Sequence, residues 1–88
     1  MPRTAAASLE SNILRGGTSP QRLCRLGMMY ASGRSVPADM VSAHKWFNIA
    51  ALHGNPEAAR LRREIAEEMS RVEIAAAQRA AREWIMRH

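Results

Sequence analysis

The sequence is poor in the residues that build a bulky core or cross-link a small domain. Aromatic residues make up only 5% of its 88 residues, and there is a single cysteine, Cys24. One cysteine cannot form a disulfide within the chain, so no internal covalent link is expected to stabilise it. Hydrophobic residues nevertheless reach 47%, and alanine is the commonest of them. This composition favours helices that approach one another closely over a core of large side chains.

Long apolar runs are also missing. No stretch of about eighteen apolar residues occurs, so no segment is expected to span a membrane. The first residues do not resemble a signal peptide, because Ser8, Glu10, Ser11 and Asn12 interrupt the apolar run. Together with the single cysteine, these absences predict a protein of the reducing cytoplasm.

Lysine is nearly absent: the chain has twelve arginines and only Lys45. The net charge of +5 is concentrated in residues 1–54, which carry six basic and two acidic side chains, whereas residues 55–88 carry seven and six. A basic chain can bind nucleic acid through its phosphates, usually with aromatic side chains placed between the basic ones. Here the aromatics fall on predicted packing stripes. A small basic nucleic-acid-binding or regulatory protein is therefore kept as the alternative function.

Four helix starts are marked by a capping residue. Ser19, Asp39, Asn55 and Ser70 can each accept a hydrogen bond from the first helical turn, and Pro20 and Pro56 follow two of them. Ser70 with Glu73 fits a capping box, which predicts two helices after Asn55. One continuous helix from Pro56 is the alternative, because no glycine or proline interrupts it. Residues 1–17 are predicted to form a tail or a short helix.

These signals recur as an internal repeat. Ser19-Pro20-Gln21 and Asn55-Pro56-Glu57 stand 36 residues apart, and an Ala-x-(Lys/Glu)-Trp-apolar pattern begins at Ala43 and again at Ala81. A repeat of this length with two helices per unit is typical of an α-solenoid. The chain is accordingly divided into residues 1–17, a helix hairpin over 18–54, and a degenerate second hairpin over 55–88 that acts as a C-terminal cap.

The first hairpin carries a dozen spaced residues that packing and turn formation explain. They are Leu26, Gly27, Tyr30, Gly33, Val36, Pro37, Asp39, Ala43, Trp46, Phe47, Ala50 and Gly54. In this pattern, residues 20–58 resemble the Sel1-like repeat, a relative of the tetratricopeptide repeat. The resemblance implies an all-α fold of antiparallel helix hairpins packed as a short α-solenoid, with four main helices. It also implies a function in protein–protein interaction.

Residues that could carry chemistry are few and not grouped. His44 and His53 lie nine residues apart and do not share a helix face, and with Cys24 they lack the close spacing of a zinc site. We expect His44 to be solvated or at a groove edge, and His53 to interact with the C-terminal end of its helix dipole. No base is marked as a partner for Cys24. The prediction is a protein that is not an enzyme and that uses no metal and no cofactor.

The resemblance also implies where a partner binds. In superhelices of this type the first helix of each pair lines the concave face. The residues expected there are Gln21, Cys24, Arg25, Met28, Glu57, Arg60, Leu61 and Glu64. Such a surface suits a peptide or a helix of a partner protein. In the alternative, some of these side chains pack against the N-terminal segment 4–15.

The end of the chain predicts a homodimer through the C-terminal helix. Trp84, Ile85 and Met86 are large apolar residues with no following unit to cover them, and solenoids normally need about three repeats for a continuous core. The alternative is a closed monomer in which Trp84 folds back beside Trp46.

Overall fold

Five α-helices make up the described part of the chain. The computed structural model describes residues 5–88. Thr4, which the sequence offers as the cap of a short helix over residues 4–15, lies outside them. The helices are α1 (Ala5–Leu14), α2 (Pro20–Ser32), α3 (Met40–Leu52), α4 (Pro56–Ala66) and α5 (Arg71–Arg87). No strand occurs in these residues, so the predicted all-α fold is confirmed. None of the five helices combines the length and apolar character needed to cross a bilayer.

Each main helix begins at its predicted cap. The side chains of Ser19, Asp39, Asn55 and Ser70 each accept a hydrogen bond from the backbone N–H three residues later, a donor that would otherwise lack a partner. The Glu73 carboxylate also accepts from the Ser70 N–H at 2.8 Å, which completes the capping box. The break between α4 and α5 is therefore confirmed, and the alternative of one continuous helix from Pro56 is wrong.

Helices α2 and α3 pack as an antiparallel pair, which two hydrogen bonds hold at opposite ends. At one end the Asp39 N–H donates to the Tyr30 carbonyl oxygen at 3.1 Å. At the other end the Asn55 side-chain amide donates to the Pro20 carbonyl oxygen at 3.5 Å. Gly33 ends α2 in the left-handed region at φ 70°, where a side chain would be strained.

Gly27 is the point of closest approach between α2 and α3. A Cβ atom at this position would lie 2.4 Å from Cδ1 of the Phe47 ring, inside any normal contact distance. Both residues are almost completely buried. Gly27 therefore permits a short approach between the two helices, and Phe47 is the side chain that fills the space.

Helix α3 is the centre of the fold, because α2, α4 and α5 all pack against it. Its buried residues are Ala43, His44, Trp46, Phe47, Ile49 and Ala50. At about 100° per residue these positions cover more than half of the helix circumference, which a helix needs when it has neighbours on several sides. Residues 55–88 were predicted to form a second hairpin; in the structure α4 and α5 each lie mainly against α3.

Helix α5 covers the open side of α3 through its alanine face and Trp84. Ala77 and Ala81 are buried, and the Trp84 ring meets the Trp46 ring edge-on with centroids 5.5 Å apart. Trp84 thus packs beside Trp46 of the same chain, as in the alternative of a closed monomer. The helical spacing of Ile74, Ala77, Ala81 and Trp84 predicts an apolar stripe that also includes Ile85. In the structure Ile85 is 37% exposed, and Met86 is 85% exposed. The homodimer through this helix stays a prediction.

Helix α1 lies on α2. Residues 1–17 were predicted to form a tail or a short helix, and α1 corresponds to the short helix. The Tyr30 hydroxyl donates to the Glu10 carboxylate, and the Arg22 guanidinium donates to the Ile13 carbonyl oxygen at 3.2 Å. The apolar residues Leu9, Ile13 and Leu14 pack against the core cluster but stay partly exposed. These contacts place α1 beside α2, on the side of α2 away from α4.

The close contact at Gly27 leads to a stability prediction. In an open helix, Gly→Ala should raise the free energy of unfolding by about 0.5–1 kcal/mol. Here the added Cβ meets the Phe47 ring, and Gly27→Ala should instead lower it by about 1–3 kcal/mol, the usual cost of overpacking. Urea unfolding measures the change.

A second variant shows whether the Phe47 ring is the cause. In the Phe47→Leu background, which removes the ring, Gly27→Ala should cost much less, so the double-mutant cycle should give a clear coupling. A stabilising effect of Gly27→Ala in the parent protein would contradict the close approach of α2 and α3.

Candidate functional site: the face formed by α1, α2 and α4

A groove with a largely apolar lining lies between α2 and α4. Two adjoining depressions form it, one of about 340 Å³ and one of about 270 Å³, and Met28 and Glu57 line both. We call this surface the α2–α4 groove. It is lined by Gln21, Cys24, Arg25, Met28, Ala31, Ser32, Asn55, Glu57, Leu61 and Ile65, with Phe47 at its floor.

Six of the eight predicted partner-binding residues line this groove. They are Gln21, Cys24, Arg25, Met28, Glu57 and Leu61. Met28 is its most prominent apolar member, 45% exposed between the buried residues of α2 and α3. Its unbranched thioether side chain can adapt its shape to a ligand surface. These predicted residues lie on one surface because α2 and α4 are in contact with each other. That this surface binds a partner stays a prediction.

Arg60 and Glu64, the other two predicted residues, do not line the groove. Both are exposed, and the Arg60 guanidinium forms ion pairs with the carboxylates of Glu57 and Glu64 along the surface of α4. The Arg60 hydrogen bond lowers the pKa of the Glu57 carboxyl. Exposed pairs of this kind contribute little to stability. Their effect on the groove is to neutralise much of the charge on its α4 rim.

Cys24 belongs to the groove floor rather than to its contact surface. Its side chain is only 4% exposed. Burial and the nearby negative charge of Glu57 raise the pKa of the Cys24 thiol, so the unreactive protonated form is favoured. The residue acts here as a small apolar side chain.

Five groove residues were not among the predicted partner-binding residues: Ala31, Ser32, Phe47, Asn55 and Ile65. Asn55 was recognised as a helix cap and Phe47 and Ile65 as packing residues. Each has that role and also faces the groove. Only the depth of the groove, which follows from how α4 sits on α3, reveals the second role.

A separate depression, of about 340 Å³, lies between α1 and α2. We call it the α1–α2 cleft, and it is lined by Leu9, Ile13, Arg25, Met28, Met29, Ser32, Arg34 and Ser35. Met28 and Arg25 border both the cleft and the α2–α4 groove. In the alternative prediction, some of the binding residues pack against segment 4–15. In the structure, Leu9 and Ile13 of α1 line this cleft together with Arg25 and Met28. Met28 and Arg25 nevertheless remain exposed.

His44 is not at a groove edge, and the prediction of a solvated side chain is wrong. It is 3% exposed on α3, and its Nδ1 has no hydrogen-bond partner among residues 5–88. Burial and the positive charge of Arg62 lower the pKa of His44. The helix spacing did not reveal this, because α4 and α5 cover a side of α3 that a single packing stripe leaves open.

His53 lies at the end of α3, where it was expected. Its ring Nδ1 is 2.9 Å from the Ile49 carbonyl oxygen, and its backbone N–H meets the same carbonyl at 3.1 Å. Within residues 5–88 no group of three His, Cys, Asp or Glu side chains is arranged to hold a metal ion.

No protein-family model, curated protein or solved structure matches this chain.

Buried His44 makes the stability of the protein depend on pH. Its pKa is lower in the folded than in the unfolded chain, so the unfolded chain binds more protons as the pH falls. Neutral His44 makes its full contribution to the free energy of unfolding above the pKa of the unfolded chain, about 6.5. This contribution is lost as the pH falls below that value. The free energy of unfolding should therefore decrease between pH 7.5 and pH 5.5.

The comparison is with His44→Leu, measured by urea unfolding over the same pH range. This variant should show a smaller decrease, because it removes the buried titrating group. His53 and His88 are present in both proteins, so the difference between the two slopes reports on His44. Equal slopes would contradict the burial of His44.

Proposed function

We propose that this chain is a non-catalytic protein–protein interaction module of the Sel1-like, tetratricopeptide-related type. In this proposal α2 and α3 form the repeat hairpin, and α4 and α5 form the C-terminal cap of a short α-solenoid. The α2–α4 groove receives a peptide or a helix of a partner protein. The buried, unpaired Cys24 fits a protein of the reducing cytoplasm.

The packing roles of the repeat residues support the repeat assignment. Gly27 accommodates the Phe47 ring, Gly33 supplies the left-handed turn, Val36 is buried in the loop, and Asp39 caps α3. A stretch in which each spaced residue has a definite structural role is what a helix-hairpin repeat requires.

The observation that carries the binding function is the exposure of Met28 above an apolar floor. Phe47, Leu61 and Ile65 surround it, and the rim is polar. Long grooves with apolar floors accept amphipathic helices or extended peptides, whose anchoring side chains fill the depressions. An adaptable methionine at the centre suits such a ligand.

The positions of the aromatic residues favour this function over nucleic-acid binding. Tyr30, Trp46 and Phe47 are nearly fully buried. Their rings are therefore not available for stacking on bases, which proteins that bind single strands generally use.

The test is a selection of displayed random peptides on the immobilised protein, followed by titration of the enriched peptides. We expect them to carry apolar residues at i and i+3 or i+4, because one helix face must meet the groove. Met28→Lys places a charge at the centre and should weaken binding by at least about tenfold. Its melting temperature should change little, because residue 28 is exposed.

The matched control is Met86→Lys, the same change at the exposed end of α5. This variant should bind the selected peptides as the parent protein does. Peptides that bind both variants equally well, or a selection that enriches nothing, would show that the α2–α4 groove is not the binding site.

A further inference from the structure

The α1–α2 cleft has an apolar floor and a rim of one charge. Leu9 and Ile13 of α1 and Met28 and Met29 of α2 supply the floor. Among the described residues, the charged members of its lining are Arg25 and Arg34, and none is acidic. The cleft therefore differs from the α2–α4 groove, where Glu57 contributes to the lining.

Neither arginine of the cleft forms an ion pair with another residue of the range 5–88. Both ion pairs in the described part of the chain involve Arg60 on α4. The neighbouring Arg22 is occupied, since its guanidinium donates to the Ile13 carbonyl oxygen. Arg25 and Arg34 are exposed, and their positive charges face the solvent beside the cleft.

The acidic residue of α1 is used elsewhere. Glu10 follows Leu9 directly in sequence, but its carboxylate accepts the Tyr30 hydroxyl hydrogen bond. Burial and the hydrogen bond to the negatively charged Glu10 carboxylate raise the pKa of the Tyr30 phenol. The Glu10 carboxylate is therefore directed to Tyr30, and the positive charge of the cleft has no counterpart on α1.

We propose that the α1–α2 cleft binds an acidic amphipathic helix of the partner protein, with two carboxylates that pair with Arg25 and Arg34. This inference rests on the proposed interaction function and names the chemistry of the partner. The basic excess of residues 1–54 favours the approach of such a segment. Arginine suits the role because its guanidinium can bind a carboxylate through two hydrogen bonds.

The spacing of the two arginines sets the spacing of the carboxylates. Arg25 lies about two turns before the end of α2, and Arg34 is the second residue after that end, following Gly33. A partner helix that runs along α2 would therefore present Asp or Glu at positions i and i+7. Apolar residues at i+3 and i+4 would then meet the floor at Met28 and Ile13.

The experiment uses three labelled helical peptides with the same apolar residues at i+3 and i+4. One has Glu at i and i+7, the second has Gln there, and the third has Lys. Fluorescence anisotropy with the full chain should give the tightest binding for the Glu peptide, by about tenfold over the Gln peptide. This preference should shrink as the salt concentration rises.

Matched charge variants identify the arginines. Arg25→Gln and Arg34→Gln should each reduce the preference for the Glu peptide. Arg63→Gln on α4 and Arg79→Gln on α5 remove the same charge from exposed positions outside the cleft and should preserve the preference. In Arg25→Glu, the Lys peptide should gain affinity relative to the parent protein.

Each contrary result is distinct from a failure of the proposed function. Equal binding of the Glu and Gln peptides, with both lost in Met28→Lys, would keep the interaction function and overturn the acidic partner. If all four Arg→Gln variants reduced the preference for the Glu peptide equally, the net charge of the protein would explain the preference. That result would overturn the α1–α2 cleft as the binding site. An oligonucleotide that binds more tightly than the Glu peptide, through the same arginines, would replace the acidic helix with a nucleic acid.

Discussion

The close approach of Gly27 to the Phe47 ring is the contact on which the rest of the arrangement depends. Because position 27 has no side chain, the ring lies where a Cβ would be, and α3 comes close to α2. With α2 in this position, α3 is free to receive α4 and α5 on its remaining sides. Met28, the next residue, then points to the outer face, where α1 and α4 flank it.

The outer face is electrostatically uneven, and the unevenness has a structural origin. On the α4 side, Glu57, Arg60 and Glu64 form a chain of ion pairs. On the α1 side, the Glu10 carboxylate is directed to Tyr30. Arg25 and Arg34 form no ion pair among the residues that the structure describes. Such surface charges contribute little to folding stability, but they strongly influence which partners approach and in which orientation.

The errors at His44 and Ile85 have a common cause. A single apolar stripe along α3 left His44 on a polar side, yet α3 has neighbours on several sides, and that side is buried. On α5 the predicted apolar stripe was too wide, because it included Ile85. The contact with α3 uses Ala77, Ala81 and Trp84, and Ile85 is at its edge. Helical periodicity gives the direction of a side chain, but the number of neighbouring helices decides whether it is buried.

Local signals in the sequence determined the helix starts, the turn at Gly33 and the break at Ser70. A cap or a left-handed glycine acts on backbone groups within three or four residues, so its effect can be predicted without the rest of the chain. Six of the eight residues that the resemblance implied as partner-binding also line the α2–α4 groove. The α1–α2 cleft, the burial of His44 and the contact of Trp84 with Trp46 were decided only by the tertiary structure. These features join residues distant in sequence, and their geometry depends on how closely whole helix faces can pack.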